Sequence, residues 1–121
     1  MNTTRIASFA AVLEVERERV RAEIAEFELE DQESLSEVSG ENNYRDHMAD
    51  QGSATFAREL DMTLEESARE RLARIERALA RIEADTYGVC VRCGGTVSID
   101  RLEAMPEASL CIACKEHEEN A

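Results

Sequence analysis

The sequence predicts a mainly α-helical protein: a long antiparallel coiled-coil hairpin followed by a small C-terminal module built on four cysteines. Three observations carry the prediction. Two stretches with a seven-residue apolar repeat flank one polar loop, at about 4–38 and 54–85. Ala and Glu abound while there is no Trp, only three Phe and two Tyr, so a large globular core is out of reach. All four cysteines lie between Cys90 and Cys114, in pairs that can staple a short segment.

The first helix starts at a cap supplied by Thr3 or Thr4. No Gly or Pro interrupts the chain from there to Val38. Ile6, Leu13, Val20 and Phe27 recur every seven residues, with Phe9 and Ile24 between them and Glu16 breaking the pattern. Such a helix spans roughly 50 Å at 1.5 Å per residue. Leu35 and Val38 continue the seam weakly, and Ser39-Gly40 ends the helix.

Residues 39–53 are polar and read as a loop. A second helix follows over about 54–85. Phe56, Leu60 and Leu64 are spaced by four; Ala68, Ile75 and Ile82 by seven, as are Leu72 and Leu79. Gly88 marks its end. Neither helix can hide its stripe alone, so the two pack antiparallel with 39–53 at the tip. The short loop favours a hairpin within one chain, hence a monomer; pairing between two chains is the alternative. The domains expected are 1–85 for the hairpin and 86–121 for the module.

The module carries Cys90-x2-Cys93-x17-Cys111-x2-Cys114. Two C-x2-C pairs at this separation read as a tetrahedral zinc site, each loop bringing two thiolates to one ion. Gly94 and Gly95 permit the sharp turn after the first pair. Arg92, Arg101 and Lys115 are candidates to offset the negative charge. Two disulfides would need an oxidising compartment, and no signal-peptide stretch precedes Glu14. Four protein ligands leave no position for a catalytic water, so the zinc is structural. Val97, Ile99, Leu102, Met105, Leu110 and Ile112 are the expected core around it, Pro106 ends the Ile99–Met105 segment, and KEHEENA forms a short helix with His117 on the surface.

The formal net charge is −13. Nonspecific phosphate binding needs clustered Lys and Arg, so direct nucleic-acid binding is not expected; a basic protein surface suits this chain better. No apolar run is long enough for a membrane span. No nucleophile–base pair or phosphate-binding loop is visible, so the protein is read as not an enzyme, and as cytoplasmic.

The stretch Tyr87-Gly88-x-Cys90-x2-Cys93-Gly94, then Arg101-Leu102-Glu103-Ala104-x-Pro106, then Cys111-Ile112-x-Cys114-Lys115 resembles the zinc finger of the DksA/TraR family. The order of hairpin and finger resembles that family too. The resemblance implies a non-enzymatic regulator that binds bacterial RNA polymerase, with the coiled-coil tip entering the secondary channel. The family's tip motif, Asp-x-x-Asp-x-Ala, falls on His47-Met-Ala-Asp50-Gln-Gly52. Asp50 keeps its residue type; Asp46 lies one place from the first position and is the candidate to stand in for it. The tip candidates are therefore Asp50, Asp46 and His47. The N-terminal extension linked to alarmone response in the longest members is not matched, so no residue is assigned to a nucleotide. Two other readings stay open: a zinc-stapled helical adaptor or stress protein that does not bind polymerase, and a thiol redox sensor that releases zinc on oxidation.

Overall fold

The computed structural model describes residues 1–38 and 51–120, of which 33–38 and 51–54 are described as backbone only. The tip candidates Asp46, His47 and Asp50 lie outside the described residues. Four helices follow in order: α1 (Thr3–Val38), α2 (Gln51–Glu83), α3 (Ile99–Ala104) and α4 (Ile112–Glu119). Among the described residues there is no strand, only an isolated antiparallel bridge between Val89 and Thr96.

α1 and α2 are the long packed pair that the repeats predict. The cap of α1 is Asn2 rather than Thr3 or Thr4: its side-chain oxygen accepts the Arg5 N–H at 2.8 Å. Asn ranks with the best N-caps because its short carbonyl reaches the free N–H groups of the first turn. α2 runs from Gln51 to Glu83, starting before the expected 54 and ending two residues short of the expected 85. The stop is a left-handed residue, Asp85 (φ 59°). Its N–H donates to the Ile82 carbonyl (3.2 Å) and the Thr86 N–H to the Arg81 carbonyl (2.9 Å), the two bonds of a Schellman motif.

The chain divides into two compact units. The first joins 1–19 to 72–121 and contains the cysteines. Phe9, Leu13, Ile75, Ala78, Tyr87, Val97 and Leu102 are buried in it, and the rings of Phe9 and Tyr87 pack with centroids 5.7 Å apart. The second unit is 20–71. Val20 and Ile24 are buried there, and Arg69 of α2 reaches Glu28 of α1 at 2.9 Å.

The repeat on α1 holds: Leu13 and Val20 are buried, Phe9 and Ile24 with them, and Ile6 and Phe27 half-buried. Glu16, the break in the pattern, is half-buried and paired with Arg19 at 2.8 Å. On α2 the seven-residue repeat holds through Ala68, Ile75 and Ile82 and through Leu72 and Leu79. The four-residue series does not: Phe56, Leu60 and Leu64 are exposed. Counting in sevens from Phe56 gives Thr63, Glu70 and Arg77; from Leu60 it gives Ser67 and Arg74; all are exposed. Phe56 and Leu60 therefore sit on the outward register of α2, because a spacing of four drifts off a seam that repeats every seven.

Candidate metal centre

The segment from Tyr87 to Cys114 is short of regular structure and is held by individual backbone bonds. The first cysteine pair is a tight turn. The Gly94 N–H donates to the Cys90 carbonyl (2.9 Å) and the Cys90 N–H to the Gly95 carbonyl (2.7 Å). Gly94 takes φ 75°, a region that costs a residue with a Cβ. At Gly95 an added Cβ would lie 3.2 Å from the Cys93 sulfur, and its N–H donates to that sulfur at 3.3 Å. Gly94 therefore turns the chain as expected, and Gly95 brings a donor against the Cys93 sulfur.

The second pair is set by a helix start. Cys111 is the N-cap of α4 and Cys114 lies in its first turn. The Val91 N–H donates to the Ser109 carbonyl at 2.9 Å, tying the first pair to the approach of the second.

The four sulfurs lie within 4.8 Å of one another, and Cys93 Sγ is 3.8 Å from Cys111 Sγ. A tetrahedron with Zn–S bonds of about 2.3 Å has edges of about 3.8 Å. No pair is joined as a disulfide. Cys90 is buried and Cys93 exposed, with Cys111 and Cys114 between.

The electrostatics call for a cation. Backbone N–H groups, first of Cys93 and then of Cys111, hold the Cys90 thiol down at about 6. Cys114 is pushed up to about 12, first by its hydrogen bond with Cys111 and then by burial. Packed this closely, four thiols cannot all ionise on their own, because each thiolate raises the next. A divalent ion removes the conflict and deprotonates all four. Cys90, Cys93, Cys111 and Cys114 thus form the donor set for one structural zinc, which contributes folding free energy to a segment with little core of its own.

The neighbours differ from expectation. Val97 and Leu102 are buried, joined by Tyr87 and Ala108, while Ile99, Met105 and Ile112 are exposed. A helix of six residues has one inward side, and in α3 Leu102 fills it. The Arg101 Nε donates to the Leu110 carbonyl at 2.9 Å, one residue before Cys111. Lys115 lies 4.0 Å from Glu119. Met105 is extended (φ −144°, ψ 83°), as the residue before Pro106 must be, and α3 stops there. His117 is exposed, as expected.

Two residues that were not singled out as anchors hold the module to the end of α2. The Tyr87 hydroxyl donates to the Pro106 carbonyl at 2.9 Å, and burial pushes its pKa up to about 12. The Arg81 guanidinium reaches the Glu107 and Ala108 carbonyls at 3.4 and 3.5 Å. A helix-end arginine followed by a tyrosine is the available signal, but their partners lie 19 to 27 residues away.

The profile of the prokaryotic dksA/traR C4-type zinc finger matches residues 85–120. Over 117 residues the chain is 32% identical to the RNA polymerase-binding transcription factor DksA of Escherichia coli (strain K12), covering 95% of this chain and 72% of that one. The chain belongs to the DksA/TraR family. Its fold agrees with that of the transcription factor DksA2 from Pseudomonas aeruginosa, with a TM-score of 0.78, 28% identity, and coverage of 99% of this chain and 87% of that chain. Over 87 residues it is also 39% identical to general stress protein 16O of Bacillus subtilis (strain 168), covering 70% of this chain and about half (53%) of that protein's length. The four cysteines are the zinc-finger ligand positions of the DksA/TraR pattern, and among the described residues no helix is long and apolar enough to cross a membrane.

Proposed function

We propose that the protein is a zinc-binding regulator of bacterial transcription that binds RNA polymerase and inserts its acidic coiled-coil tip into the secondary channel. It acts as a monomer in the cytoplasm, with residues 1–85 as the arm and 86–121 as the zinc base, and without catalysis of its own. The observation that carries this reading is the alignment with a polymerase-binding factor along 95% of the chain, helical arm included. A match limited to the finger would have supported a zinc module alone. The charge supports it as well: a body of net charge −13 is drawn to basic protein surfaces and repelled by bare phosphate.

At the tip the proposed contacts are Asp50, with Asp46 and His47 beside it. A carboxylate there accepts charge-assisted hydrogen bonds from Arg, Lys or backbone N–H groups of the partner. The test is Asp50→Asn, assayed for polymerase binding and for transcription from a promoter panel. Asn caps a helix about as well as Asp, so folding and zinc content stay unchanged. An interaction built on the charge weakens by roughly 1.5–3 kcal/mol. Unchanged binding and unchanged regulation would remove Asp50 from the site. The likeness to a general stress protein favours a second reading, a zinc-stapled stress protein without polymerase contact, and failure of retention on immobilised polymerase would select it.

A further inference from the structure

Phe56 and Leu60 lie on the outward register of α2, and Leu64, in register with the buried Ala78, is also exposed. Phe56 is 70% exposed, Leu60 50% and Leu64 48%, at spacings that place them along one side of the helix. Scattered exposed leucines are ordinary, but three large apolar groups in a row, one of them among only three Phe in the chain, form a patch. Thr63 joins it. It is exposed, and its hydroxyl donates to the Glu59 carbonyl at 2.9 Å, so its polar group is already engaged by the helix.

The surroundings specify the occupant. From Val20 to Arg71 the sequence has fifteen Asp and Glu against five Arg, so ten of the thirteen net negative charges fall in this unit. Glu59, Glu66 and Glu70 are exposed and follow one edge of the series at helical spacing. A second copy of the chain would bring an equal negative charge against the first, so self-pairing through this face is opposed by charge. An anionic surface such as nucleic acid or an acidic membrane is opposed in the same way. A complementary surface is apolar at its centre and carries Lys or Arg along one side, the helix-in-groove arrangement with anchors at i, i+4 and i+8.

We infer that Phe56, Leu60 and Leu64 form a second docking surface on the arm, which seats in an apolar groove of RNA polymerase edged by basic side chains. The inference rests on the polymerase-binding reading and adds a contact apart from the tip. The apolar groups supply residence and the acidic edge supplies the approach rate, which falls as salt rises.

The experiment compares the zinc-loaded full-length protein with Phe56→Ala/Leu60→Ala and with Glu59→Gln/Glu66→Gln/Glu70→Gln, measuring affinity and rates on purified polymerase. Melting and sedimentation are followed alongside. The expected result is about tenfold or greater weakening for the apolar variant, mostly in dissociation, and slower, less salt-sensitive association for the charge variant. Melting temperature and sedimentation stay as in the parent, because these side chains face out. Parent binding with no change in the apolar variant would overturn the docking surface and leave the polymerase reading standing. A parent that does not bind polymerase would overturn both. A large fall in melting temperature would show that the chain covers the stripe itself, and a parental dimer dissolved by the variant would assign the face to a second copy; either would overturn the inference.

Discussion

The two units of the chain put their residues to opposite uses. The unit with the cysteines holds nine of the eleven buried apolar side chains among the described residues, while the unit 20–71 holds Val20 and Ile24 alone. Charge runs the other way, with ten of the net negative charges in the second unit and three in the first. A short chain with few large apolar groups cannot bury enough surface everywhere. Among the described residues most buried side chains lie in the first unit, together with the four cysteines. Substitutions in the first unit should therefore act on folding, and substitutions in the second on binding.

The largest effect tests the metal. Cys93→Ser should abolish stoichiometric zinc and unfold the finger, since structural zinc supplies on the order of 10 kcal/mol or more of apparent folding free energy. Metal analysis together with circular dichroism reads both. A folded finger without zinc would break the comparison at its strongest point.

The next pair truncates one apolar side chain to alanine in each unit. Ile75→Ala removes a side chain that is 1% exposed and should cost roughly 2–5 kcal/mol in urea unfolding. Phe56→Ala removes one that is 70% exposed and should stay within about 0.5 kcal/mol of the parent. Equal costs would mean that the units are not differently built.

Much of this division was legible in the sequence, for identifiable reasons. Zinc ligands are named by residue type and spacing, so Cys90, Cys93, Cys111 and Cys114 could be assigned before any fold was known. The repeat in sevens located the buried seam because packing two helices imposes that period. Phe56 and Leu60 were expected in the seam because a spacing of four also fits one helix face; only the register of Ile75 and Ala68 tells the faces apart. The end of α2 near 85 is legible, but the stop signal points to Gly88 because glycine is the usual left-handed residue, whereas Asp85 takes that conformation here. The place of Arg101 near the cysteines is legible, but its bond to the Leu110 carbonyl depends on how the finger folds back. Tyr87 and Arg81 escaped for the same reason, since carbonyl partners leave no trace in residue type.

A smaller effect concerns that fold-back. Tyr87→Phe deletes the bond to the Pro106 carbonyl and should cost about 1 kcal/mol. It should also change the alkaline limb of stability. The folded-state pKa of Tyr87 is raised from 10.0 to about 12, so the folded form holds its proton where the unfolded form has lost it. That contribution is complete below about pH 10 and is lost as pH rises toward 12. The parent should lose stability across that window and Tyr87→Phe should lose less. Identical alkaline profiles would show that the hydroxyl is not held as described.

The smallest effect belongs to the second unit. The Arg69 guanidinium bridges Glu28 and Glu65, which raises its pKa through the hydrogen bond to Glu28 first, but the site is open to water and screened by salt. Arg69→Gln should hardly move the melting temperature at physiological salt. A large loss would mean that the two helices depend on surface pairing there more than on their seam.

The central claim is that the helical arm, on its zinc-stapled base, reaches the interior of RNA polymerase. A photoreactive residue placed at position 50, crosslinked to purified polymerase and mapped by peptide sequencing, tests this most directly. The account predicts a zinc-dependent crosslink to peptides lining the secondary channel, lost when Cys93 is replaced by Ser. Crosslinks confined to the polymerase exterior, or none from a zinc-loaded protein, would contradict it.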